Sequence, residues 1–233
     1  MARSGDKLAT LAQSLSARNC EVLPIVADVT QETDRRRLLD TAVDRFGGLD
    51  VLINNAAVAS WAHFAESTEA ILRQIMEVNF FAPAELIRLA IPILEQGKQP
   101  AIVNVSSKCG RRGLPAWSEY SASKFALCGL TEALRGELAR FDIDILLVVP
   151  GLTRSDLSNH LLRCDGRLKI DFSAAMPPDQ VAANILASLR KNVTETVLGR
   201  DARWLLRANC FVPRFLDFMI ARRVRKLYES ERA

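Results

Sequence analysis

Apolar positions along this chain alternate between two patterns. Leu8, Leu11 and Leu15 recur at three- and four-residue spacing and predict a helix over 7–18. The same periodicity returns over 31–46, twice within 68–96 with a break near Pro83, and over 118–140, where Leu127, Leu130, Leu134 and Leu138 share one side. Between these helices lie short apolar runs at 21–27, 50–53, 101–105 and 143–149, the last ended by Pro150-Gly151. Strands that are apolar throughout, rather than alternating, are covered on both faces, as in a parallel sheet whose crossovers are helices. The pattern predicts one α/β domain over 1–200, a doubly wound, Rossmann-like parallel sheet. A helical extension over 201–233 follows it.

Composition sharpens this picture. The 233 residues are 49% hydrophobic and 25% charged, which suits one globular domain and excludes disorder or fibre. The longest stretch without a formal charge, 51–65, contains Asn54 and Asn55 and falls short of the roughly 18 apolar residues of a spanning helix. The start, Met-Ala-Arg-Ser-Gly-Asp, has no apolar signal core, which predicts a cytoplasmic protein. Five scattered cysteines without CxxC spacing read as reduced and structural. His63 and His160 have no His or Cys at metal spacing, so no metal site is predicted.

The net charge of +4 is unevenly placed: 200–233 hold nine Lys/Arg against four Asp/Glu, and 1–199 hold 22 against 23. With a near-neutral body and no zinc-finger or helix-turn-helix pattern, no nucleic-acid partner is predicted.

The chemistry centres on Tyr120 and Lys124, one helical turn apart on one face of the 118–140 helix. An unperturbed phenol titrates near 10 and is a poor acid-base catalyst at neutral pH, and an adjacent ammonium would stabilise its phenolate. Ser107, just beyond the 101–105 strand, reaches the same carboxyl edge of the sheet, where ligands bind in such folds. Its hydroxyl is placed to hold a substrate oxygen.

These residues sit within Ile102-Val-Asn-Val-Ser-Ser107-x-x-Gly110-x-x-Gly113-x-Pro115-x-x-x-x-Tyr120-x-Ala122-Ser123-Lys124-x-Ala126-x-x-Gly129. Together with Asn54-Asn55-Ala56-Ala57, Asn79 in Glu-Val-Asn-Phe, and Pro150-Gly151, the chain resembles the short-chain dehydrogenase/reductase family over residues 2–200. Ala57 stands where the family usually has Gly, and Ser155 where it usually has Thr.

The resemblance implies a catalytic tetrad of Asn79, Ser107, Tyr120 and Lys124. Tyr120 would exchange a proton with the substrate oxygen while hydride moves to or from a nicotinamide. Lys124 would lower the Tyr pKa and bind the nicotinamide ribose, Ser107 would orient the carbonyl, and Asn79 would hold a water in the proton relay. Asp28 and Val29 match the family's adenine-contacting turn, Asn55 and Ala56 the stretch beside the adenosine ribose, and Thr153 and Ser155 the nicotinamide side. Arg3 resembles the Arg that meets the 2′-phosphate, so NADP(H) is expected over NAD(H). Plainer roles stay open: a turn cap for Asp28, an amide pair tying strand ends at Asn54 and Asn55, and a helix cap for Asn79. The expected partners are a small-molecule carbonyl or alcohol and further copies of the chain in a homo-oligomer. The cations of Lys108, Arg111 and Arg112 beside Ser107 read as a solvated loop, with recognition of an acidic substrate group as the alternative.

The resemblance also implies a glycine-rich phosphate turn and two strands ahead of Arg3, yet the sequence holds no GxxxGxG. The expectation is an N-terminally truncated member missing its first two strands. A gap of roughly 14 Å would then separate the 21–27 and 50–53 strands, and the chain would bind NADPH poorly. The alternative function is a non-catalytic relative acting as an interaction or membrane-surface module.

In the extension, Leu216, Ile220, Val224 and Leu227 form a stripe after a break at Pro213, beside Trp204, Phe211, Phe215 and Phe218 and the cluster Arg222, Arg223, Arg225 and Lys226. The stripe is expected to pack on the body or a second subunit and cover the substrate pocket. The competing placement is on an anionic membrane, which would favour a lipophilic substrate.

Overall fold

Parallel pairing organises the molecule. In this computed structural model, which describes residues 1–17, 20–167 and 175–229, four strands lie in the order β1-β2-β3-β4. These are β1 (Val51–Asn54), β2 (Ala101–Val105), β3 (Asp144–Pro150) and β4 (Glu195–Leu198). The register sets Val51 against Ala101, Ala101 against Asp144 and Leu147 against Glu195. Every residue of β2 is buried, as is all of β3 after Asp144, which is why these runs carry no polar alternation.

Helices cover both faces. On one, α2 (Glu32–Phe46) and α4 (Ala82–Leu94) bring Leu39, Leu86, Ile87 and Leu94 onto Leu52, Ile102 and Ile145. On the other, α6 (Pro178–Arg190) packs Val181 and Ile185 against Val103, Leu146 and Val148. Local chemistry sets the ends. Gly47 closes α2 in the left-handed region at φ 81°, and the Thr68 hydroxyl caps α3 (Glu69–Met76) by accepting from the Ile71 amide.

The break predicted near Pro83 takes a different form. The chain runs from α3 through a π turn at Glu77–Phe81 into α4, with helical backbone throughout and Pro83 just after the turn, so the break is a change of helical pitch rather than a loop. α5 (Ser118–Glu137) matches the long predicted helix, ending in a 3-10 turn at Leu138–Phe141. α6 and β4 have no predicted counterpart. β4 is only Glu-Thr-Val-Leu, too short and too polar at its start to stand out as a run.

The predicted strand at 21–27 is corrected. It forms no ladder, only a single parallel bridge of Val26 to Ala2. Pro24 removes a donor in the middle of the segment, and Leu23 and Val26 face solvent, so nothing rewards extended pairing. Before it lies α1 (Gly5–Ser16), which has no buried residue.

After β4 the chain forms α7 (Arg200–Phe211) and α8 (Pro213–Tyr228), a helical hairpin turning at Val212–Pro213.

Candidate active site

The carboxyl ends of the strands open into a cavity of about 970 Å³. β2 delivers Ser106 and Ser107 to its floor, α5 brings Tyr120 and Lys124, and the loop after β1 contributes Asn55, Ala56 and Val58. Thr153 and Ser155 enter from the loop after β3, and Arg3 and Lys7 from the N-terminal segment. The sequence-predicted residues Arg3, Asn55, Ala56, Ser107, Tyr120, Lys124, Thr153 and Ser155 thus line one space.

Close packing makes this juxtaposition possible. Ser107, two residues past β2, is extended, and its hydroxyl accepts from the Cys109 amide at 3.2 Å, turning the chain into the short helix Lys108–Gly110. Gly110 then lies directly on α5: a Cβ there would meet the Lys124 carbonyl oxygen at 2.8 Å and press on the Ser106 hydroxyl. Only glycine lets the serine loop approach the helix carrying Tyr120 and Lys124.

Burial governs the titration of this pair. It pushes the Tyr120 phenol well above its ordinary value, with the Cys109 thiol adding to the effect and the Ser107 hydroxyl opposing it. It pulls the Lys124 ammonium down to about 8, against smaller opposing influences of the Cys128 and Cys109 thiols. Burial thus outweighs the expected lowering of the phenol by its neighbour. Lys124 Nζ stands 5.8 Å from the Tyr120 ring centre and donates to the Val105 carbonyl at 3.0 Å.

Three sequence-predicted residues lie outside the cavity lining. Asn79 is buried on the π turn: its Oδ1 accepts from the Val58 amide at 2.9 Å, and its Nδ2 donates to the Val58 carbonyl at 2.9 Å and to the Ser123 hydroxyl at 3.0 Å. The side chain clamps the loop after β1 to α5. Asp28 caps a turn, accepting from the Thr30 amide and hydroxyl at 2.9 Å each. The Val29 carbonyl accepts from buried Arg35 at 2.6 Å. Asn54 does form an amide pair, but across the sheet with Asn104 at 2.8 Å rather than with Asn55.

The loop cations are neither solvated nor free for a substrate. Lys108 donates to Asp201 at 2.7 Å, Arg111 bridges Glu132 and Glu195 at 2.5 and 2.6 Å, and Arg112 pairs with Asp217 and with Asn209 at 2.9 Å. Burial alone would raise the Asp201 carboxyl, but Lys108 and the Leu152 amide outweigh it and hold the group below its usual range. This network was not legible in the sequence, because all of its pairs except Arg111–Glu132 are 84 to 105 positions apart. It ties the serine loop to α7 and α8.

The extension closes the far side of the cavity. Leu216 is buried, and Ile220, Arg223 and Val224 line the space opposite Leu114, Pro115, Trp117, Leu157 and Leu162. Tyr228 at the end of α8 meets His63 Nε2 through its hydroxyl, which places His63 under the tail rather than in the lining. Residues 168–174 lie outside the described residues.

The residues present suit part of a nicotinamide dinucleotide. Lys124, Thr153, Ser155 and Asn55 offer donors for a ribose and a carboxamide, and the Lys124 ammonium, fully buried, faces the same space. For a pyrophosphate the lining offers Arg3, Ser4 and Lys7 and no run of glycine amides.

A parallel sheet covered on both faces, with a Ser, Tyr and Lys converging at its carboxyl edge, defines a Rossmann-like architecture with its candidate site where ligands bind in such folds. Residues 1–164 match the short chain dehydrogenase family, and the chain belongs to it. It is 28% identical over 236 residues to the uncharacterized oxidoreductase YxnA of Bacillus subtilis and 34% identical over 158 residues to dehydrogenase/reductase SDR family member 7B of Bos taurus. These alignments cover 100% and 66% of this chain, which spans 65% and 49% of the length of those two relatives. A short chain dehydrogenase/reductase from Burkholderia phymatum in complex with NAD superposes with a TM-score of 0.81 at 22% identity, covering 89% of this chain and 82% of that one. A short chain dehydrogenase from Burkholderia cenocepacia in complex with NADP gives 0.73 at 26% identity, covering 85% and 78%.

Proposed function

We propose that the protein interconverts a carbonyl and an alcohol, with Tyr120 as the proton donor and acceptor and a nicotinamide dinucleotide as redox partner. The observation that carries this reading is the convergence of Ser107, Tyr120 and Lys124 with Asn55, Thr153 and Ser155 in one cavity. When bound, the cofactor supplies or accepts hydride. Lys124, Asn55, Thr153 and Ser155 are the residues that would hold its ribose and nicotinamide.

The remaining steps belong to this chain. The Ser107 hydroxyl holds the substrate oxygen, and the Tyr120 hydroxyl gives that oxygen a proton as negative charge develops on it. Burial keeps the resting phenol protonated, the form that a carbonyl reduction requires. Lys124, when charged, stabilises the phenolate left behind. The largely apolar wall of Leu114, Trp117, Leu157, Ile220 and Val224 favours a lipophilic carbonyl and excludes water from the developing charge.

NADP(H) is favoured over NAD(H) because Arg3 lines the cavity beside Ser4 and Lys7, and a guanidinium suits a phosphate. Fluorescence titration should give tighter binding of NADPH than of NADH, with the preference lost in Arg3→Glu. An equal ratio in both proteins would remove the assignment.

The reaction itself is tested with a panel of aldehydes and ketones, followed by nicotinamide absorbance. Tyr120→Phe should lower kcat by about 10²-fold or more, since it removes the acid-base group without changing the ring. Turnover that survives this substitution, or none in the parent chain with either cofactor, would overturn the proposal.

A further inference from the structure

The α7–α8 hairpin has two faces of opposite character. Its inner face carries Leu205 and Leu216, both buried, and the cavity-lining Ile220 and Val224. The two carboxylates within the helices, Asp201 and the more exposed Asp217, are neutralised by Lys108 and Arg112 of the serine loop.

On the outer face the large apolar side chains are Trp204, Phe211, Phe215, Phe218 and Met219. Their exposures run from 45% for Met219 to 80% for Phe211. They cluster around the corner at Val212–Pro213. Flanking them, all exposed, are Arg203 and Arg207 on α7 and Arg214, Arg222, Arg225 and Lys226 on α8. Among the described residues none of these six forms an ion pair with a carboxylate. The hairpin has therefore sorted its charges: its helical acids are spent on the body, and its unpaired cations ring an aromatic corner.

We propose that this outer face docks the protein on an anionic lipid bilayer. The aromatic corner enters the interfacial region, where Trp and Phe are favoured, and the flanking cations meet the headgroups. Charge decides against a second copy as the occupant. A two-fold dimer sets the same patch against itself, which would bring cations onto cations, and the one exposed carboxylate among them, Asp217, is already paired with Arg112. No described helix is long and apolar enough to cross a membrane. The mode of attachment does not depend on the catalytic reading, and its test needs no turnover.

The full chain is sedimented with phosphatidylcholine vesicles prepared with or without phosphatidylserine. It should pellet with the phosphatidylserine vesicles, and high salt should release it. Two variants separate the two parts of the contact: Phe211→Ser/Phe215→Ser/Phe218→Ser, and Arg222→Glu/Arg225→Glu. Each should reduce partitioning by about tenfold or more while leaving the melting temperature near that of the parent, because all five side chains are exposed. Trp204 emission should shift to the blue on binding, and Trp204→Phe should abolish that shift. Equal pelleting with both vesicle types, or unaltered binding by either variant, would overturn the proposal. A concentration-dependent dimer lost in the phenylalanine variant, without vesicle binding, would assign the face to a second copy instead.

Discussion

Lys124 bears the largest cost of the active-site geometry at the scale of single residues. Its ammonium is 2% exposed and has one carbonyl partner, Val105, so the native state disfavours the charged form and its pKa falls from 10.5 to about 8. Below pH 8 both native and unfolded chains carry the proton, and the burial cost is fully present. Between 8 and 10.5 the unfolded chain binds more protons than the native one, so this residue's contribution to stability rises with pH. Lys124→Met removes the effect. Urea unfolding of both proteins across this window should show the parent gaining on the variant by on the order of 3 kcal/mol. A difference that stays constant with pH would mean that the buried amine is already solvated. Asn79, Asp28 and Val29 show the other side of residue-level reading. Their types suit ligands as well as clamps and turns, and only their neighbours decide between the two.

Elements place these residues by backbone contact. The serine loop meets α5 at Gly110, where the facing atoms are the Lys124 backbone and the Ser106 hydroxyl. Because a backbone atom cannot swing aside as a flexible side chain would, Gly110→Ala must push the loop off the helix and carry Ser107 away from Tyr120. The expected outcome is a loss of about 1–3 kcal/mol in chemical denaturation, together with a kcat that falls by a larger factor than KM rises. An alanine variant with unchanged kcat would show that the loop accommodates the methyl without moving Ser107. The same scale explains where periodicity succeeded and failed. β2 and β3 were legible because both their faces are covered and the apolar run is unbroken. The segment 21–27 has a similar composition but no ladder beside it, while β4 joins the sheet with only four residues.

Across the whole molecule, the extension acts as a strap over the cavity. Lys108, Arg111 and Arg112 anchor it through Asp201, Asn209 and Asp217, and Leu216 plugs it into the body at 7% exposure. Leu216→Ala should cost about 2–5 kcal/mol and open the hairpin before the sheet unfolds. Limited proteolysis should then cut within 200–229 faster than in the parent, at a temperature where the sheet is intact. Equal cutting rates would show that the ion pairs alone hold the strap.

The order of chemical groups, the parallel sheet and the amphipathic extension follow from the sequence itself, because each rests on spacing within a few turns or one strand. What the tertiary structure decided is which of several equally plausible partners each group found. Lys108 and Arg112 met acids about a hundred residues away, the Asn79 amide met the Val58 backbone, and the tail divided its stripe and its aromatics between cavity and solvent. Side-chain periodicity states that a helix has two faces. Which of them is buried depends on the long-range contacts that the fold brings together.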